Sequence, residues 1–192
     1  MINNSNKTEA KCQEAGITYH IRDALYDDAP VLADIVIEPI ITIFRGRVPD
    51  QCLTWLTKEE SCANWQKWFQ CDRSDGQFLL VAVLRSQLVV GCALGGVRPI
   101  DHKFQGELRM LGVLPGYQGQ GIGRHLVGAV AARLLEQGIQ SMWVGVLSVN
   151  PNRRFYERLG GQYLSERPYE WNGVLLTEVI YGWTDITCFL LG

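Results

Sequence analysis

What the chain lacks removes several classes of function at once. It has no excess of positive charge: 18 lysines and arginines stand against 20 acidic residues, for a formal net charge of −2 and a pI near 5.9. The electrostatic footprint of a nucleic-acid binder is therefore missing. Long hydrophobic runs are missing too. The longest uninterrupted one, Phe78 to Leu84, is far short of a membrane span, and Ile35 to Phe44 is broken by Glu38 and Pro39. The opening residues, MINNSNKTEAKCQEAG, carry no apolar core of a signal peptide, so a cytoplasmic protein is expected. The six cysteines, at 12, 52, 62, 71, 92 and 188, show no C-x-x-C spacing, and a chain of 192 residues needs no disulfide staples. Most are expected to be buried small hydrophobes. His20, His102 and His125 do not pair with one another or with cysteines at ligand spacings, so no metal site is expected.

What is present suits one soluble domain with a sizeable core, 47% of the residues being hydrophobic. Residues 1–16 are polar and aperiodic and read as a leader, 17–186 as the domain, and 187–192 as a tail. ITYHIRDA, from Ile17, alternates like a half-buried strand. Asp27, Asp28 and Pro30 signal a helix start, Val31, Leu32, Ile35 and Val36 give it an apolar stripe, and Pro39 is expected to end or kink it. FRGRVPDQCL, from Phe44, reads as a loop, and Thr57 to Phe69 as a second helix with Trp65, Trp68 and Phe69 on one face, more in keeping with core than with a pocket. Gln77–Leu84 and Leu88–Arg98 read as a hairpin, and two further strands flank Asn172-Gly173, a tight-turn pair.

The most informative stretch is ELRMLGVLPGYQGQGIGR, Glu107 to Arg124. An apolar strand ends at Pro115 and a glycine-rich loop leads into a helix with Ile122, Leu126, Val130 and Leu134 on one face. Free N–H groups and the positive end of the helix dipole make such a junction an anion site, phosphate being the usual occupant. The nucleotide-triphosphate pattern fails, because no Lys-Ser or Lys-Thr pair follows these glycines. The dinucleotide pattern G-x-G-x-x-G fails as well: counted from Gly119, Arg124 stands in place of the last glycine. SMWVGVL, Ser141 to Leu147, is a buried strand after the helix, so strand, helix and strand form a βαβ unit with parallel strands. Asn150-Pro151 then starts a short helix that Gly160 ends.

Gln118-Gly119-Gln120-Gly121-Ile122-Gly123, a Q-x-x-G-x-G run, resembles the acetyl-coenzyme A pyrophosphate loop of the GNAT family of N-acetyltransferases. NPNRRFYERLGG supplies the family's Asn, Phe-Tyr and Leu-Gly positions downstream, and the resemblance is specific over 107–161 and looser elsewhere. It implies an α/β (α+β) fold: one domain with a mixed, mostly antiparallel sheet, flanked by helices and splayed in the middle for acetyl-CoA. It implies transfer of an acetyl group from acetyl-CoA, the cosubstrate, to a primary amine of a small molecule or peptide. Leu111, Gly112 and Val113 become the strand edge that holds the acetyl end, with Gly112 allowing a bulge. Gln118, Gly119, Gln120, Gly121, Ile122, Gly123 and Arg124 become the pyrophosphate loop, and Asn150 and Tyr156 lie beside pantetheine and sulfur. The loop from Phe44 and Arg45 onward becomes part of the acceptor wall.

Acetyl transfer to an amine needs no enzyme nucleophile, only a base, an oxyanion donor and an acid for the sulfur. Tyr156 is the candidate acid, since a phenol with a pKa of about 10 keeps its proton at neutral pH; its structural alternative is a tyrosine packed beside Phe155. Glu107 is the candidate base, expected on one strand face with Arg109, Leu111 and Val113; its alternative is a solvated acid or a partner for Arg109. Glu178 is a second candidate. A non-catalytic coenzyme A-binding module is the competing function, and a nucleotide-binding protein a weaker one. No nucleic-acid or membrane partner is expected, and a homodimer is compatible with the sequence without being derivable from it.

Overall fold

A computed structural model describes residues 11–14, 17–71 and 76–190. The strands are β1 (Lys11–Glu14), β2 (Ile17–Asp23), β3 (Phe78–Leu84), β4 (Val89–Val97), β5 (Gly106–Val113), β6 (Met142–Leu147), β7 (Gln162–Trp171) and β8 (Val174–Trp183). They form one sheet in the order β1-β2-β3-β4-β5-β6-β8-β7. Every neighbouring pair is antiparallel except β5 and β6, the parallel pair that the βαβ reading requires. Within the segment read as a leader, Lys11–Glu14 pair with β2, and residues 1–10 and 15–16 lie outside the described residues.

Each central strand sends alternate side chains to opposite faces, and each face is covered by a helix layer. On one face Leu80, Ala82, Val90 and Leu108 pack with Leu126, Val130 and Leu134 of α3 (Ile122–Glu136). On the other, Leu79, Val81, Val83 and Cys92 pack with Leu32 and Ile35 of α1 (Ala29–Phe44), and α2 (Lys58–Gln70) lies against α1. Thr57 caps α2 by accepting from the Glu60 N–H at 3.2 Å, an interaction worth about 1 kcal/mol. Trp65, Trp68 and Phe69 pack against the second cluster. Cys52 and Cys92 are buried, whereas Cys71 and Cys188 are exposed, so burial does not hold for most of the cysteines described.

Two local features shape the site. Pro39 does not end α1, which runs on to Phe44. Proline has no N–H, so the Ile35 carbonyl loses its helical donor four residues on. That oxygen lies 3.0 Å from where a Cβ at Gly112 would stand, so only glycine lets β5 approach α1 this closely. The second feature is a bulge at Arg109: Leu94 pairs with Met110 and Gly95 with Leu108, leaving Arg109 over. The bulge is therefore not at Gly112, which pairs regularly with Cys92.

Candidate active site

β5 and β6 start as neighbours and then part. Their pairing holds only for Gly106 with Met142 and Glu107 with Trp143, although the strands run on to Val113 and Leu147. β5 stays paired to β4 on its other edge. The Leu114 N–H donates to the Val90 carbonyl at 2.9 Å; backbone groups alternate along a strand, so Leu111 and Val113 turn theirs toward the edge that faces β6. There Gln118 Nε2 donates to the Val113 carbonyl at 2.9 Å and ties the loop to the strand. A cavity of about 480 Å³ opens at the split, lined by Leu111, Gly112, Gly145, Asn150 and Tyr156 among others.

The loop beyond β5 is a short 3-10 turn, Pro115–Tyr117, followed by the start of α3 at Ile122. Gly119 and Gly121 adopt φ of +74° and +79°, which other residues reach only with strain. Gly121 is the N-cap and no side chain caps the helix, so the N–H groups of its first turn point to the loop without a side-chain acceptor. Gln120 Nε2 donates to the Gly116 carbonyl at 3.2 Å, while its Oε1 is buried with no hydrogen-bond partner among the described residues. Donors for an anion and an orphaned acceptor thus sit side by side, which fits a ligand combining phosphate with amide or hydroxyl donors. Arg124 is exposed on the first turn of α3 and faces a second cavity of about 690 Å³ shared with Arg158 and Phe189.

Tyr156 is carried by α4 (Arg154–Arg158), which a five-residue helix could not hold in place alone. Asn150 Oδ1 accepts from the Asn152 N–H at 2.9 Å and opens the preceding 3-10 turn, Pro151–Arg153. At the other end Trp183 Nε1 donates to the Leu159 carbonyl at 2.9 Å, and the Tyr181 hydroxyl donates to Glu157 at 2.8 Å. The Tyr156 ring lies edge-on to Phe155 and stacks on Tyr181. Burial pushes its phenol up to about 12, so the hydroxyl keeps its proton at any working pH.

The two carboxylate candidates separate. Glu107 is buried and held at 3.2 Å by Arg98, in a small pocket with Gln77 and Arg109 rather than in the split. The expected common face with Leu111 and Val113 fails, because the Arg109 bulge shifts the alternation by one: Leu108, Leu111 and Val113 all pack on the α3 side. Glu178 does line the cavity. Its Oε2 accepts from Arg167 Nε at 2.7 Å, and the Arg167 guanidinium lies over the Trp143 ring at 5.1 Å. Its carboxylate occupies the space where a Cβ at Gly145 would be. Gly145 and Arg167 were not singled out from sequence; a glycine inside an apolar strand, a sign of close approach, was the available signal for the first.

The profile of the acetyltransferase (GNAT) family matches residues 42–161, from the end of α1 through α4. The chain belongs to the GNAT family. It is thereby an acyltransferase with acetyl-CoA as donor. Among its relatives, the uncharacterized N-acetyltransferase YuaI of Bacillus subtilis is 28% identical over 167 residues, 87% of this chain and 94% of that protein. The [ribosomal protein bS18]-alanine N-acetyltransferase of Haemophilus influenzae is 40% identical over 50 residues, 26% of this chain and 34% of that protein. Among solved structures, PaiA N-acetyltransferase of Thermoplasma acidophilum, in complex with coenzyme A, superposes with a TM-score of 0.66 at 17% identity, covering 85% of this chain and 97% of that one. YncA of Salmonella typhimurium, a structure with acetyl-CoA, gives 0.61 at 19% identity over 86% and 92%. At such identities the superpositions establish the GNAT fold alone. Among the described residues no helix of this GNAT chain is long and apolar enough to cross a membrane.

Proposed function

We propose that the chain transfers the acetyl group of acetyl-CoA directly to a primary amine held in the split between β5 and β6. The observation that carries this is the convergence on one cavity of an unpaired strand edge, a proton-bearing phenol and a buried carboxylate: Leu111, Tyr156 and Glu178. Acetyl-CoA supplies an activated thioester; the unpaired edges of both strands offer hydrogen bonds to its pantetheine amides, and the first turn of α3 offers N–H donors to its pyrophosphate. The Leu111 N–H faces the split and is placed to stabilise the oxyanion that develops on the thioester carbonyl.

The proton balance assigns the remaining groups. The acceptor ammonium gives up a proton, its nitrogen bonds to the carbonyl carbon, and the carbon–sulfur bond breaks. Glu178, rather than Glu107, is the carboxylate within the cavity to receive that proton, directly or through water. The Tyr156 hydroxyl meets the departing sulfur. With a phenol near 12 and a thiol near its ordinary value of about 8.5, full transfer is uphill, so Tyr156 acts mainly by hydrogen-bonding the thiolate, which then takes its proton from solvent.

Thiol release from acetyl-CoA in the presence of a panel of primary amines tests this reading. Amine-dependent release with formation of the N-acetyl product is the expected result. Tight binding of coenzyme A with no transfer to any amine would establish the non-catalytic binding module instead.

A further inference from the structure

Two opposite charges stand at the same level on either side of the split. β5 and β6 are last paired at Glu107 and Trp143, and two residues further along each strand come Arg109 and Gly145. The Glu178 carboxylate lies on the bare Cα of Gly145, so it stands at the level of Arg109 on the opposite bank. Both side chains line the cavity of about 480 Å³, and Arg109 is the one cation among the described residues that do. No ion pair joins the two, because the strands have parted by this level and Glu178 pairs with Arg167 instead. The Tyr169 phenol, which lines the same cavity, feels both charges: burial raises it above the ordinary tyrosine value, the Glu178 carboxylate raises it further, and Arg109 and Arg167 act in the opposite direction.

Arg109 differs from the arginines around it. Arg167 is taken up by Glu178 at 2.7 Å and Arg98 by Glu107 at 3.2 Å. Arg109 meets no carboxylate among the described residues, and its one hydrogen bond there is to the neutral Gln77 Oε1 at 3.5 Å, longer than an ordinary hydrogen bond. Glu178 keeps an acceptor open as well, since Oε2 takes Arg167 while Oε1 takes no hydrogen bond among the described residues. The cavity therefore presents a carboxylate oxygen on one bank and an unneutralised guanidinium on the other. An ammonium satisfies the first, and the planar, forked guanidinium matches a carboxylate bidentately. A molecule with an amine alone answers only Glu178; one that carries both groups answers both banks.

We infer that the acceptor is an amino-carboxylate, bearing a carboxylate on the same molecule as the reacting amine, and that Arg109 sets this specificity by binding the carboxylate. The inference rests on the acetyl-transfer reading of the split and names its substrate class, but its test is binding rather than turnover. The protein is saturated with coenzyme A and titrated calorimetrically at about pH 6, where each amine is an ammonium. The ligands are L-phenylalanine, 3-amino-3-phenylpropanoate and 4-amino-3-phenylbutanoate, each beside its own carboxamide. The phenyl group suits the apolar wall that Ile40, Ile43, Phe44 and Trp171 give the cavity, and the series varies the distance between the two charges.

In at least one pair the acid is expected to bind about tenfold or more tightly than its amide, the difference that one charge-assisted contact makes. Arg109→Gln is expected to erase that difference with coenzyme A affinity and melting temperature unchanged, since the side chain is exposed and the strand pairing does not depend on it. Arg109→Lys, which keeps the charge and loses the fork, is expected to retain part of it. Equal affinity for acid and amide in every pair, a preference that survives Arg109→Gln, or no binding of any of the acids would each overturn the inference. Thiol release from acetyl-CoA in an amine panel keeps the two readings apart: absent release with the acid preference intact removes acetyl transfer alone, and release without that preference removes the role of Arg109 alone.

Discussion

The carboxylate of Glu178 occupies the volume that any side chain at Gly145 would need: an added Cβ would lie 2.2 Å from Oε1 and 2.4 Å from Cδ. Strand register brings this about. Leu147 pairs with Glu178 and Gly145 with Ile180, so the Glu178 side chain lies across the pleat onto the bare Cα of Gly145. A glycine on one strand thus determines where a carboxylate on the next can sit.

Substitution of that glycine is the first prediction. Gly145→Ala leaves the sheet hydrogen bonds intact but displaces the Glu178 carboxylate. We expect kcat/KM for an amine acceptor to fall by about tenfold or more, about 1.4 kcal/mol of transition-state stabilisation, with coenzyme A affinity little changed. Steady-state kinetics beside calorimetric titration of coenzyme A separates the two. An unaltered kcat/KM would remove Glu178 from the site.

Gly121→Ala tests the loop. Its φ of +79° costs an alanine about 1–2 kcal/mol and works against the turn that starts α3. Weaker coenzyme A binding with a modest loss of thermal stability is expected, read by calorimetry and by the melting temperature. Retention of full affinity would mean that the helix N-terminus does not hold the pyrophosphate.

The pH profile follows from Tyr156. Burial raises its phenol to about 12, so the protonated form persists as pH rises past the ordinary tyrosine value of about 10. The expected kcat therefore shows no loss from a tyrosine between about pH 8 and 10. A fall within that window that disappears in Tyr156→Phe would contradict the assignment.

The parts of this site that lie close in sequence were legible there. Gln118 to Gly123 and Asn150 each belong to a local pattern whose physics is local: positive φ at glycine, a capped turn, a helix start; Tyr156 is singled out only by the resemblance to the family's motif. The parallel β5–β6 pair was legible for the same reason, since strand, helix and strand follow one another. What was not legible depends on register. The extra residue at Arg109 turns Glu107 away from the side of Leu111 and Val113, and nothing in ELRMLGV marks the slip. Glu178 meets Gly145 only because β8 pairs with β6 in one alignment. Of the two outcomes expected at Pro39, an end or a kink, the end does not occur: packing of α1 against β4 and β5 carries the helix past it. Reciprocal hydrogen bonds, from Gln51 Nε2 to the Asn172 carbonyl and from Asn172 Nδ2 to the Gln51 carbonyl, join two segments that sequence shows only as a loop and a turn.

The most direct measurement compares Tyr156→Phe with the unmodified protein, in thiol release from acetyl-CoA with an accepted amine and in coenzyme A affinity by titration. Removing one hydroxyl from a ring held by Phe155 and Tyr181 leaves the packing in place. The account predicts a kcat lower by about a hundredfold or more, within the usual range for loss of one hydrogen-bond donor to charge that develops in the transition state, and an unchanged affinity. An unchanged kcat would show that the split between β5 and β6 performs the transfer without Tyr156.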